Sequence, residues 1–155
     1  MPAKPAPPKT PSLPALVDPK KIEALLAERQ GDWPRIELTS TPVETGDGPI
    51  VQVSAAYQKE LGQPMVYVLI VDTRGIPSLH LTYASMRDHP NKGIRSFDQA
   101  GHLAVETFSA RPLCTSIMVL VRERYLVTIS GEGSDQATVK MFLDGLDLKA
   151  LAALE

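Results

Sequence analysis

Apolar and polar residues alternate most regularly in the last third of the chain. Two alternating stretches, residues 115–121 and 124–130, are separated by Arg122 and Glu123, a pattern typical of a β-hairpin. Both faces of these strands carry apolar residues, which indicates interior strands covered on both sides. After a glycine-rich loop, residues 135–146 repeat apolar positions at the spacing of an amphipathic helix. The apolar positions of that helix are Val139, Phe142, Leu143 and Leu146.

Shorter apolar runs along the rest of the chain predict further strands, bounded by turn signals such as residues 46–48. These strands are expected at residues 35–39, 50–57, 65–72, 78–83, 94–97 and 102–108. Asp18 followed by Pro19 predicts the start of an N-terminal helix, and Gly31 predicts its end. Asp147 predicts the start of a short third helix.

This order of elements predicts an α+β fold. We expect a twisted antiparallel sheet of about seven to eight strands, packed with an N-terminal helix and C-terminal helices. The strands and helices do not alternate, which excludes a doubly wound nucleotide-binding fold. Residues 18–155 are therefore expected to form a single domain.

Residues 1–17 hold six prolines, so this stretch is expected to be extended and to have few backbone partners. Two interpretations compete. The prolines recur three residues apart, as in peptides that bind a proline-recognition groove. Alternatively, the stretch is a Pro-rich flexible tether between an anchor and the domain. We favour the tether, which bacterial lipoproteins commonly carry after their lipidated cysteine.

Charge and hydropathy narrow the class of protein. The net charge is −2 and the pI about 5.9, whereas a nucleic-acid-binding protein needs a basic face, so we expect no nucleic-acid partner. No apolar run reaches the length of roughly 20 residues that a transmembrane span needs. The N-terminus also lacks the apolar core of a secretory signal. Either the protein is cytoplasmic, or a leader has been removed.

The residues that usually carry chemistry do not form a recognisable set. His80, His89 and His102 share no metal-ligand spacing, and two of them, His80 and His102, fall in predicted strands. Cys114 has no base near it in the sequence and fits a small hydrophobic residue entering a strand. No serine-nucleophile motif or phosphate-binding loop is present, and a carboxylate pair such as Asp72 with Glu106 needs distances to be judged. We therefore predict no catalytic, metal or cofactor site, and no enzyme.

Four features of the chain carry a resemblance to a known type of protein. The first two are a strand that ends in a tyrosine (residues 53–57) and a long apolar strand that ends at Asp72. The other two are a hairpin around Gly101 and a final hairpin followed by the helix that ends in Leu143-Asp144-Gly145-Leu146-Asp147-Leu148. In these features the chain resembles small bacterial cell-envelope proteins of unknown function, of the lipoprotein type. Helices covering an antiparallel sheet also resemble the PsbP/Mog1-like arrangement. The resemblance implies tethering in the periplasm or at the cell surface and no known catalysis.

We therefore expect a non-enzymatic accessory or protein-binding domain, tethered to the bacterial cell envelope, that is a monomer or a weak dimer. Its partner surface is expected at the polar loop of residues 84–93 and at the tip of the last hairpin. The predicted contact residues are Arg87, Asp88, His89, Asn91, Lys92, Arg122 and Arg124. The first alternative is a cytoplasmic adaptor, chaperone or toxin-neutralising protein, dimeric through an edge strand at residues 35–39. The second is a small-molecule-binding domain with a pocket between sheet and helices.

Overall fold

The structure is a computed structural model that describes residues 3, 5, 13–89, 91 and 93–154. Its helices are α1 (Pro19–Glu23), α2 (Leu81–Asp88), α3 (Gln136–Asp144), α4 (Leu148–Ala152) and a 3-10 helix (Pro77–His80). Its strands are β1 (Arg29–Gln30), β2 (Trp33–Thr45), β3 (Gly48–Gln58), β4 (Met65–Asp72), β5 (Ile94–Gln99), β6 (His102–Ala110), β7 (Leu113–Val121) and β8 (Tyr125–Glu132). In this part of the chain they form one open sheet in the order β1-β2-β3-β4-β8-β7-β6-β5, with all pairs antiparallel. The predicted α+β class is confirmed.

The main core lies between one face of the sheet and the helices α1, α3 and α4. Alternate residues of the central strands point into it, as the two-residue period of a strand requires. Phe142 of α3 packs against the rings of Trp33 and Tyr57, with ring centroids 5.6 and 5.0 Å apart. The predicted apolar face of the C-terminal helix is therefore the face that closes the core.

The opposite face of the sheet is covered in part. Tyr83 of α2 packs with Val105 and Leu120, and the segment before α2 packs Ile76 on Ile50 and Val71. Residues on both faces of β4 and β7 are consequently buried, which explains why these two strands read as nearly continuous apolar runs.

Three aspartates begin three helices, two of them, Asp18 and Asp147, at the positions that the sequence predicts. The side chain of Asp18 accepts the N–H of Lys20, that of Asp135 accepts the N–H of Thr138, and that of Asp147 accepts the N–H of Ala150. Each carboxylate satisfies an N–H group that has no partner inside its helix.

Two predicted elements differ in the structure. Residues 78–83 were predicted to be a strand, but they form the 3-10 helix and the start of α2, so His80 lies in a helical turn and not in a strand. The polar loop predicted at residues 84–93 is helical as far as Asp88. Pro77 explains the difference, because its fixed φ and missing N–H suit the first position of a helix.

Two other elements have different lengths from those predicted. The N-terminal helix ends at Glu23, well before Gly31, and Arg29 and Gln30 pair with the start of β2 instead. The strand predicted at residues 35–39 extends from Trp33 to Thr45. None of the helices described here is both long enough and apolar enough to cross a membrane.

Candidate functional site

The residues predicted to contact a partner begin on α2. Arg87 Nε lies 2.8 Å from Asp88 Oδ1, and the Arg87 guanidinium lies 5.7 Å from the centre of the Tyr83 ring. The hydrogen bond from Arg87 is the main reason why the pKa of Asp88 lies below its ordinary value. Arg87 and Asp88 are thus paired with each other at the surface.

The next predicted residues follow the end of α2. The backbone N–H of His89 donates to the carbonyl of Ser85 and closes the last turn of the helix. Asn91 Oδ1 accepts a 2.9 Å hydrogen bond from the N–H of Gly93. His89 and Asn91 are exposed, and Lys92 lies outside the described residues.

Arg122 and Arg124 lie in the tight turn between β7 and β8. Arg122 and Glu123 both have positive φ, near 55°, and Arg122 Nη1 donates to the carbonyl of Ala152 at the end of α4. Arg124 points the other way and binds Asp72, with its own side chain only 13% exposed. The two arginines of the turn therefore contact different parts of the domain.

Two of the predicted segments meet at one cavity. Arg87 of α2 and Arg122 of the β7–β8 turn both line an open cavity of ≈ 380 Å³ that lies beside the β5–β6 turn. Tyr83, His102 and Leu103 also line it, and Leu103 is 40% exposed. We call Arg87, Asp88, His89, Asn91 and Arg122 the α2 rim.

A buried carboxylate joins the N-terminal segment to the sheet. Asp72 is fully buried and accepts hydrogen bonds from Arg124 Nε at 2.7 Å and Nη2 at 2.9 Å, and from the N–H of Val17 at 2.9 Å. Burial alone would raise the pKa of Asp72, but these hydrogen bonds, one from the N–H of Arg74 and the charge of Arg124 lower it. Arg74 and Arg124 also donate to the carbonyls of Pro14 and Ala15, so residues 14–17 contact the folded domain.

An open groove separates α1 from β2. It has a volume of ≈ 390 Å³ and is lined by Lys20, Glu23, Ala24, Leu26, Ala27, Glu28, Arg35 and Leu38. Ser40 of β2 donates a hydrogen bond to Glu23 of α1, and this bond is the main cause of the lowered pKa of Glu23. Arg35 closes the other end by donating to the carbonyl of Leu26 at 2.7 Å.

The groove opens onto the edge of the sheet. Of the described residues, Arg29 and Gln30 pair with the outer edge of β2 as far as Pro34, and the N–H of Arg35 donates to the carbonyl of Glu28 at 2.8 Å. Among the described residues, the rest of the strand from Glu37 to Thr45 pairs with β3 alone, and Ile36 is 52% exposed. The edge strand considered at residues 35–39 therefore lies in β2, and beyond Arg35 no described residue pairs with the outer edge of that strand.

Glu106 lines another cavity at the opposite end of the sheet, between β5, β6 and the start of α3. Its side chain is only 1% exposed, and its Oε1 accepts a 2.8 Å hydrogen bond from Gln136 Nε2. Arg95 Nη2 lies 3.2 Å from Glu106 Oε1. From the sequence Glu106 is considered only as a partner of Asp72, although it lies on the same core face of β6 as the buried Ala104.

The carboxylate pair considered from the sequence is not one site. Asp72 binds Arg124 and the N-terminal segment, whereas Glu106 binds Gln136 and Arg95. Among the described residues, no group of three or more histidine, cysteine, aspartate or glutamate side chains is arranged to hold a metal ion. Comparisons with family models, curated proteins and solved structures find no match to this chain.

Proposed function

We propose that this chain is a non-enzymatic protein-binding domain and that its main binding element is the outer edge of β2. The open edge beside the α1 groove carries the proposal. An exposed edge offers unpaired N–H and C=O groups to an added strand, and a neighbouring groove receives alternate side chains of that strand.

Pro42 indicates which backbone groups face outwards at this edge. A proline inside a strand fits only where its missing N–H would face away from the neighbouring strand. Because this orientation repeats every second residue, the N–H groups of Leu38, Ser40 and Glu44 also face away from β3. Their side chains lie on the α1 side of the sheet, where Leu38 lines the groove and Ser40 binds Glu23.

The occupant that we propose is β2 of a second copy of the chain, paired antiparallel. Residues 38–43 carry no charge, so two copies meet without repulsion along the middle of the strand. Arg35 stands near one end of β2 and Glu44 near the other. Antiparallel pairing brings Arg35 of each copy towards Glu44 of the other, so the charges attract at both ends.

Self-association is tested by sedimentation velocity over a wide range of protein concentration. The wild type is expected to change from monomer to dimer as concentration rises. Thr41 is exposed near the centre of β2, so Thr41→Lys places two like charges close to the two-fold axis and keeps the chain monomeric. Thr41→Ser and Gln63→Lys, which adds the same charge at an exposed loop, are expected to dimerise like the wild type. A wild type that stays monomeric, or a Thr41→Lys variant that still dimerises, would overturn the proposal.

The α2 rim is a second candidate surface, supported by the cavity that Arg87 and Arg122 share. Arg124 is left out because its side chain is only 13% exposed and is held by the buried Asp72, whereas the side chain of Arg87 is 39% exposed. The rim suits a partner segment with an acidic side chain next to an apolar one, since Arg87 lies beside Tyr83 and the exposed Leu103. A blocked peptide of alternating glutamate and leucine should shift the NMR signals of Tyr83 and Leu103 in the wild type but not in Arg87→Ala. Equal shifts in both proteins would rule out this surface.

We further propose that the Pro-rich stretch tethers the domain to the bacterial envelope. The bonds that hold residues 14–17 to Arg74, Arg124 and Asp72 support this, because they would fix the point at which a tether leaves the domain. Fractionation of cells that express the gene from its natural start is expected to place the protein with the envelope. Recovery with the cytoplasm would favour the cytoplasmic adaptor instead.

A further inference from the structure

The cavity at Glu106 has the features of a built site. It has a volume of ≈ 200 Å³ and is lined by Gly93, Ile94, Arg95, Glu106, Phe108 and Gln136. Pockets for drug-sized ligands measure roughly 300–1,000 Å³, so this one suits a more compact molecule. It holds one buried carboxylate and one aromatic ring, that of Phe108, which is 39% exposed.

The charge of Glu106 is balanced from outside the core. Arg95, on the edge strand β5, supplies the positive charge, but its own side chain is 64% exposed. Both of its contacts with the carboxylate, at 3.2 and 3.4 Å, come from the single nitrogen Nη2. An arginine that binds a carboxylate most strongly uses two nitrogens in parallel, so this contact is the weaker kind.

Gln136 holds the carboxylate without neutralising it. Its Nε2 donates to Oε1 at 2.8 Å, which orients Glu106 towards the cavity and leaves Arg95 as the cation in contact with it. A buried carboxylate that loses its cation is costly, so a second cation that reaches the cavity can take the place of Arg95.

We propose that this cavity binds a compact organic cation, an amine or a guanidinium that carries an apolar group. The cation displaces Arg95 and binds Glu106, while its apolar group packs against Phe108. The displaced Arg95 turns to solvent over the Phe97 ring, from which its guanidinium is already 5.4 Å away. This site is independent of the edge of β2, since it lies on β5 and β6 at the opposite end of the sheet.

The test uses benzylamine as the cation and benzyl alcohol as its neutral counterpart. Binding is followed by the NMR signals of the Gln136 side-chain amide and of Ile94, and by thermal unfolding. Benzylamine should bind the wild type weakly and Arg95→Ala more tightly, because the variant offers an uncompensated carboxylate. It should raise the melting temperature of Arg95→Ala more than that of the wild type. Benzyl alcohol should do neither.

Two variants keep the test decisive. Glu106→Gln retains the shape of the site but lacks its charge, so benzylamine should not bind to it. If Arg95→Ala does not fold, Arg95→Gln replaces it and is expected to show the same gain in affinity. Lys20→Ala, which removes the cation from a distant surface pair with Glu23, should bind like the wild type.

A second arm identifies the source of the cation. Tighter binding of a blocked arginine than of benzylamine would indicate an arginine side chain of a peptide, and the reverse would indicate a free amine. Equal binding of benzylamine to Glu106→Gln and to the wild type, or no binding to a folded Arg95 variant, would overturn the proposal.

Discussion

Arg124 and Asp72 form a two-nitrogen ion pair, with Arg124 Nε 2.7 Å from Asp72 Oδ1 and Nη2 2.9 Å from Oδ2. Asp72 is the last residue of β4, and Arg124 lies in the turn directly before β8, the strand that pairs with β4. Asp72 also accepts the N–H of Val17, which is 1% exposed and belongs to the main core. The carboxylate of Asp72 thereby joins the sheet, the turn between β7 and β8, and the N-terminal segment.

Removing the charge of Asp72 should lower the free energy of unfolding of the domain. Breaking a buried ion pair by changing one partner typically lowers the free energy of unfolding by about 3–5 kcal/mol, because the other charge is left uncompensated. We expect a loss of this size for Asp72→Asn, measured by urea unfolding. Asp32→Asn changes an exposed aspartate and should have little effect. Equal losses in the two variants would contradict a structural role for the pair.

His80 should make the free energy of unfolding depend on pH in the mildly acidic range. Its Nε2 lies 2.7 Å from Thr73 Oγ1, and because that hydroxyl donates its proton to the carbonyl of Arg124, the imidazole must be the donor. Burial lowers the pKa of His80, although the charge of Glu123 acts in the opposite direction.

The sign of the effect follows from this shift. The unfolded chain takes up the proton at a pH near the ordinary value of about 6.5, and the folded chain only at a lower pH. Above a pH of about 6.5 the imidazole is neutral in both states, so the full contribution of His80 to the free energy of unfolding is present. As the pH falls from there towards the pKa of the folded state, the free energy of unfolding decreases. Unfolding measured across this range should lose part of its pH dependence in His80→Gln. His89→Gln, at an exposed site, should retain the dependence, and an identical response in the two variants would refute the assignment.

Gly131 of β8 should not tolerate a side chain. A Cβ placed on it would lie 2.8 Å from the Cβ of Ser134 and 3.0 Å from a methyl group of Val139. Forcing extra atoms into a packed site typically costs about 1–3 kcal/mol, so Gly131→Ala should reduce the free energy of unfolding by that amount. Gly46→Ala is the matched control, because no atom lies within 4 Å of the Cβ that it adds. Thermal unfolding that ranks the two variants the other way would be inconsistent with this packing.

Phe142 should be a main contributor to the core. It is 4% exposed and lies between Trp33 and Tyr57, so Phe142→Ala leaves a cavity and should cost about 3–5 kcal/mol. The fluorescence of Trp33 reports the change directly, since its ring loses the aromatic neighbour that shields it from water. Leu61→Ala, at a residue that is 98% exposed, should leave both stability and fluorescence unchanged. A stable variant with native fluorescence would show that Phe142 is not part of the core.

The fold class could be predicted because burial follows the sequence pattern closely in the central strands. The strand predicted at residues 65–72 is β4, and the turn at Arg122 and Glu123 joins β7 to β8 as expected. Residues 78–83 were misassigned because a short alternation resembles a strand even when tertiary packing selects a helix. In the structure Tyr83 and Met86, three residues apart, pack on the sheet, while Leu81 is 66% exposed.

The candidate sites were harder to predict, because each depends on residues brought together by the sheet. The Glu106 cavity needs β5, β6 and α3 at once, and neither Arg95 nor Gln136 lies near Glu106 in the sequence. The open edge of β2 depends on the length of β1, which pairs with only two residues of β2. Of the predicted contact residues, Arg87 and Arg122 are brought to one cavity, whereas Arg124 is held by Asp72.

Hydrogen exchange at the edge of β2 tests the central proposal most directly. The N–H groups of Leu38 and Ser40 face outwards, whereas those of Thr39 and Thr41 face β3. We predict that NMR-detected exchange at Leu38 and Ser40 is fast in dilute protein and slow in concentrated protein, while Thr39 and Thr41 are protected in both. Fast exchange at Leu38 and Ser40 at every concentration would contradict the proposal that a second copy pairs with this edge.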